Sequence, residues 1–71
     1  MIEVRGLAYI KHQNSLECQI IIRYTSSGLY RTFRTFRDRQ FTKDELLSFL
    51  EEKCEVNKKN ITLSKPVQNL F

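Results

Sequence analysis

The chain has 71 residues, 41% hydrophobic and 28% charged, with two glycines and one proline. Those proportions fit one small soluble domain spanning residues 1–71; they exclude a collagen-like or low-complexity chain and argue against intrinsic disorder. The net charge of +4 is unevenly placed: residues 1–40 hold seven Lys/Arg against three acids, and residues 41–71 hold five lysines against five acids. The whole excess therefore lies in the first half and is mostly arginine. It points to a polyanionic or acidic partner, or simply to a surface kept soluble by its charge. A domain this short buries only about 60% of the surface its unfolded chain exposes, so a small core and no deep substrate pocket are expected.

Ile2 to Ile10 reads as a first strand, with Gly6 interrupting the alternation as a bulge would. His12 to Ser15 is a polar turn. Leu16 to Tyr24 contains three consecutive isoleucines, and β-branching at that density demands a strand. Thr25 to Gly28 is a hairpin connection in which Gly28 can take a positive φ. Leu29 to Arg37 is a third strand built on the repeat Arg31-Thr32-Phe33, Arg34-Thr35-Phe36. The period of three also fits a helix, but that would put Arg37 in the apolar stripe, and threonine with aromatics favours the sheet.

Thr42-Lys43-Asp44-Glu45 is a capping box, in which the Thr42 hydroxyl accepts from the Glu45 amide and Glu45 reaches back to the Thr42 amide. Leu46, Leu47, Leu50 and Cys54 follow at helical spacing as one apolar stripe. Asn57 is the expected terminator, since asparagine tolerates the left-handed conformation. Lys58 to Asn60 reads as a loop and Ile61 to Ser64 as a short last strand, which Pro66 ends or places on an edge. Leu70 and Phe71 would be costly to leave exposed. The expected architecture is α+β in two layers, β-β-β-α-β, an antiparallel sheet with one helix packed on one face.

An even hairpin loop settles which side chains share a face. Cys18, Ile20, Ile22 and Tyr24 then lie with Leu29, Arg31, Phe33 and Thr35, and this is the face that should receive the helix. Gln19, Ile21 and Arg23 lie with Tyr30, Thr32, Arg34 and Phe36 on the open side. Arg37 and Arg39 extend the positive charge towards the helix entry. Arginine bonds phosphate in bidentate fashion and Tyr30 or Phe36 could stack on a base, so Arg23, Tyr30, Arg34, Phe36, Arg37 and Arg39 form the candidate nucleic-acid or partner-binding set. The same mixture also suits the centre of a protein interface, or a solvated sheet face that carries Arg, Thr and Tyr for their strand propensity.

Chemistry-bearing clusters are sparse. Cys18 and Cys54 stand 36 positions apart without a CxxC, and with His12 they make three zinc ligands where four are wanted, so no metal or cofactor is expected. Both thiols are expected to be reduced and buried, and His12 to be solvated. No Gly-rich phosphate loop is present, and a non-enzymatic binding protein is expected. Met1 to Ile10 lacks the features of a signal peptide and no apolar run reaches membrane length, which places the protein in the cytoplasm of its own cell or of a host, off the membrane.

Gln19 to Leu50 is similar in layout to the arm-type DNA-binding domain of tyrosine recombinases. A basic hairpin with Ile22-Arg23-Tyr24 and Gly28 is followed by Phe41-Thr42-Lys43-Asp44-Glu45 opening a helix. The likeness covers less than half the chain, lacks that family's Gly-Lys turn, and implies DNA as the partner. As a short cytoplasmic chain containing Lys, Asn and Ile, it also resembles small phage or mobile-element proteins that inhibit a host factor by protein–protein binding, anti-CRISPR proteins among them.

Overall fold

Ile20, Ile21 and Ile22 occupy the middle of an internal strand, where β-branched side chains pack well on both faces of the pleat. In the computed structural model, which describes Met1 to Phe71, strand β1 (Ile2–Lys11) and strand β2 (Leu16–Tyr24) pair antiparallel, and β2 pairs antiparallel with β3 (Tyr30–Arg37). Helix α1 (Lys43–Cys54), one 3₁₀ turn (Lys58–Asn60), strand β4 (Ile61–Leu63) and a short helix α2 (Lys65–Gln68) complete the chain. The sheet order is β3-β2-β1-β4.

The fold is α+β with one main helix on one face of a four-stranded sheet. The sheet is mixed rather than antiparallel, because β4 runs parallel to β1, with Ile2 opposite Ile61 and Val4 opposite Leu63. The reason lies in α1. A strand that follows a helix returning along the sheet runs in the same direction as the strand before it. β3 and β4 are therefore parallel, at opposite edges, with α1 crossing between them. No helix is long and apolar enough to cross a membrane.

The β2–β3 hairpin has the even loop that the alternation requires. The Tyr24 amide donates to the Leu29 carbonyl at 2.8 Å, the Gly28 amide donates to the Tyr24 carbonyl at 2.7 Å, and Gly28 has φ 75°. In β1 the register shifts between Val4 and Gly6, the bulge foreseen at Gly6. A Cβ on Gly6 would stand 3.3 Å from the Ile21 side chain, so the bare backbone there leaves room for Ile21 on the open face.

One face of the sheet carries the core. Ile2, Val4, Cys18, Ile20 and Ile22 from the strands meet Leu46 and Leu50 of α1, Phe41 before it, Ile61 of β4 and Val67 of α2. Leu47, Cys54 and Phe33 are half-buried at its margin, so Cys54 is less enclosed than expected. Phe49 joins the stripe, edge-on to Phe33 with centroids 6.2 Å apart and 5.6 Å from Phe41. Leu29 precedes β3 and is solvent-exposed at the hairpin tip, beyond the helix's reach. The tail folds as α2 with Pro66 in its first turn. Val67 is buried, while Leu70 and Phe71 remain half-exposed beside a shallow apolar groove.

The capping box at Thr42 forms as expected, with the Glu45 amide donating to Thr42 Oγ1 at 3.2 Å and the Thr42 amide donating to Glu45 Oε1 at 2.9 Å. The helix ends differently. Glu55, not Asn57, takes the left-handed conformation (φ 54°, ψ 42°), and Asn57 instead caps the following 3₁₀ turn by accepting from the Lys59 amide at 3.1 Å. The expected Lys58–Asn60 loop is thus ordered as a turn.

With so small a core, Leu50→Ala should destabilise the fold by about 2–5 kcal/mol and leave it largely unfolded, read as a lost or strongly lowered thermal midpoint by circular dichroism. Glu55→Gly should act in the opposite sense. Relieving a left-handed non-glycine residue should raise stability by about 0.5–1 kcal/mol in urea titrations.

Candidate functional site

Four rows of side chains cross the face of the sheet that α1 leaves open. They are Glu3-Arg23-Tyr30, Gly6-Ile21-Thr32, Ala8-Gln19-Arg34 and Ile10-Glu17-Phe36, read from β1 through β2 to β3. The alternation of β3 puts Tyr30, Thr32, Arg34 and Phe36 on this side. Tyr30 and Phe36 are 60% and 55% exposed, values high enough to leave most of each ring free for a partner. Ile10 and Ile21, at 45% and 41%, add apolar surface between them.

The acids of this face are largely withdrawn. Glu17 is only 6% exposed, flanked by Ile10 and Phe36. Its Oε1 lies 2.8 Å from His12 Nε2, and its Oε2 accepts from Gln19 Nε2 at 2.8 Å, with Arg34 Nε at 3.9 Å. The hydrogen bonds from Gln19 and His12 hold its carboxyl below the usual range despite the opposing effect of burial. Glu3 is paired with Arg5 at 3.2 Å. The groups most open to solvent are therefore cationic and aromatic.

His12 is solvent-exposed as expected, and it also has a carboxylate partner, Glu17. The tight turn, closed by the His12 amide donating to the Ser15 carbonyl at 2.9 Å, brings it back over Glu17, and its ring stands 5.8 Å from that of Phe36. Across the turn Lys11 faces Leu16 and Ile10 faces Glu17, so His12, two residues beyond Ile10, lies diagonal to Glu17.

Of the six residues singled out from the sequence, Arg23, Tyr30, Arg34 and Phe36 share the open face, while Arg37 and Arg39 belong to a different site. Arg39 makes a bidentate pair with Glu45, both contacts at 2.7 Å. Arg37 approaches the same carboxylate at 3.2 Å, and its guanidinium lies 4.1 Å over the Phe41 ring. The same Glu45 carboxylate also accepts from the Thr42 amide, so it ties the exit of β3 to the start of α1. The Arg39 pair first, then the Thr42 amide and Arg37, drive the Glu45 carboxyl far below its ordinary range.

Elsewhere the chemistry is quiet. No three His, Cys, Asp or Glu side chains converge as metal ligands. Burial pushes both cysteine thiols up, away from the thiolate form. The groove beside the tail, about 310 Å³, is lined mainly by apolar residues, among them Leu7, Tyr9, Phe41, Leu70 and Phe71. The chain matches no protein-family model, no curated protein and no solved structure. The layout likeness to arm-type recombinase domains therefore rests on its own residues alone.

Glu45 has a pH signature. Its folded-state pKa lies below the ordinary 4.5, so the folded protein binds fewer protons than the unfolded chain in acid. The stabilisation is complete above about pH 4.5 and is lost progressively as the pH falls towards the depressed value. Glu45→Gln should lower the thermal midpoint at neutral pH and flatten its decline in acid. Glu17→Gln, acting on the other depressed carboxyl, should flatten what remains.

Proposed function

We propose that the open sheet face is a nucleic-acid-binding surface. The observation that carries this reading is the pairing of two exposed rings, Tyr30 and Phe36, with the exposed Arg34 guanidinium and the half-buried Arg23 on one uncovered face whose acids are buried or paired. Guanidinium groups suit phosphate oxygens and the rings suit base faces, so one surface offers both halves of a nucleotide a partner. The reading is of a cytoplasmic binding protein without catalytic activity. It is supported by two unpaired cysteines whose thiols stay protonated and by a lone histidine tied to Glu17.

With Arg37 and Arg39 committed to Glu45 and Arg5 to Glu3, Arg23 and Arg34 are left as phosphate contacts on the open face. Two phosphates give a log–log salt slope of roughly −1.4 to −1.8, taking about −0.7 per phosphate for single strands and about −0.9 for duplex. Fluorescence anisotropy against labelled oligonucleotides at rising salt should show that slope. Replacing Arg23 and Arg34 together by alanine should reduce it by roughly 1.4–1.8. Arg39→Ala should leave the slope in place and lower the thermal midpoint instead. No binding to any oligonucleotide at about 50 mM salt overturns the proposal.

A protein partner is the second reading, favoured by Ile10 and Ile21 standing exposed among aromatics and arginines, the composition of an interface centre. In that case the protein would act by covering an acidic surface of its target, as an inhibitor does. It would bind no oligonucleotide yet form a discrete complex in a pull-down, abolished by Ile21→Asp.

A further inference from the structure

We infer that the open face takes single-stranded rather than duplex nucleic acid, through two stacking platforms at the ends of β3; this rests on the nucleic-acid reading above. Tyr30 and Phe36 are six residues apart on one strand, about 20 Å at the rise of an extended chain. Arg34 lies between them on β3, and Arg23 stands opposite Tyr30 on β2. Phe36 is backed by the His12 ring, tilted by 53° at 5.8 Å, and beneath both lies the buried Glu17 carboxylate. An extended strand lying along β3 meets ring and guanidinium at one end, the apolar Ile21 and Thr32 next, then Arg34 with the Gln19 amide, and a ring again.

Three observations favour the single strand. Phe36 has no polar atom and Ile21 none either, so contact with duplex phosphates would desolvate the charge and return nothing. Bases within a duplex present only their edges, since their faces are stacked on one another; exposed rings find a flat partner only where bases are unstacked. Few free guanidinium groups remain, because Arg37 and Arg39 are held by Glu45, so phosphate contacts alone supply little and stacking must supply the rest.

The experiment is an anisotropy titration of the full chain against one mixed sequence of about 16 nucleotides, as DNA strand, RNA strand and DNA duplex. Both strands, or one of them, should bind at least tenfold more tightly than the duplex. Tyr30→Ala and Phe36→Ala should each weaken strand binding by about five- to a hundredfold while leaving the salt slope unchanged, whereas Arg34→Ala should reduce the slope by about 0.7. Tyr30→Phe and Phe36→Tyr keep the rings and should keep the binding; a loss in these as well assigns the effect to folding and overturns the inference. Duplex bound as tightly as the strands, with the ring variants silent, also overturns it but leaves the nucleic-acid reading standing. Binding to none of the three overturns both.

Discussion

A sheet buries a face only where something covers it, and this chain has one helix to do so. α1 has 12 residues, about 18 Å of cylinder, whereas β1 with 10 residues is about 33 Å long. The helix therefore covers the middle of one face and none of the other. Towards the margins the core face is finished by side chains and short elements. Arg37 lies over Phe41, Arg31 lies 4.4 Å over Phe33, and Val67 of α2 fills the end beside β4. Long cationic side chains suit such margins because their stems cover apolar surface while their heads stay wet. The uncovered face, with its exposed rings and isoleucines, follows from the same shortage of covering elements.

Two carboxylates organise the charge of the molecule. Glu45 gathers two guanidinium groups and a helix-end amide at the point where the chain turns from β3 into α1, so much of the arginine excess serves to hold the fold. Glu17 does something different on the open side. It is buried between Ile10 and Phe36, bonded to His12 and Gln19, and leaves the rings above it in a defined arrangement. A net charge therefore overstates what a partner meets. Two arginines are bound to one carboxylate, and on the open face the acids are buried or paired while Arg34 stays exposed.

The path of the chain explains why the two sites are separate. Arg34 and Arg37 are three residues apart on β3, and the period of two sends them to opposite faces. After Arg37 the chain must cross the core face to reach β4 at the far edge, and Arg39 travels with it. Because the helix reverses the chain's direction, β4 arrives parallel to β1 and the sheet becomes mixed.

Much of this is local and was legible residue by residue. The strand of Ile20 to Ile22, the capping box at Thr42, the bulge at Gly6 and the face-sharing of Arg23, Tyr30, Arg34 and Phe36 all follow from side-chain branching, hydroxyl-to-amide reach and the period of two. These depend on neighbours a few positions away, or on one hairpin loop of even length. What the chain order concealed were contacts made through space: Arg37 and Arg39 on Glu45, His12 on Glu17, Phe49 against Phe33 and Phe41, and the parallel placement of β4. The switch of the left-handed helix end from Asn57 to Glu55 belongs with them, since Asn57 is drawn into capping the next turn. The amino-acid sequence by itself determined the elements and which side chains share a face, because local sterics and periodicity act along the chain. Only the tertiary structure decided which arginines are free, because that depends on which carboxylates the packing of the helix and the turn brings within reach.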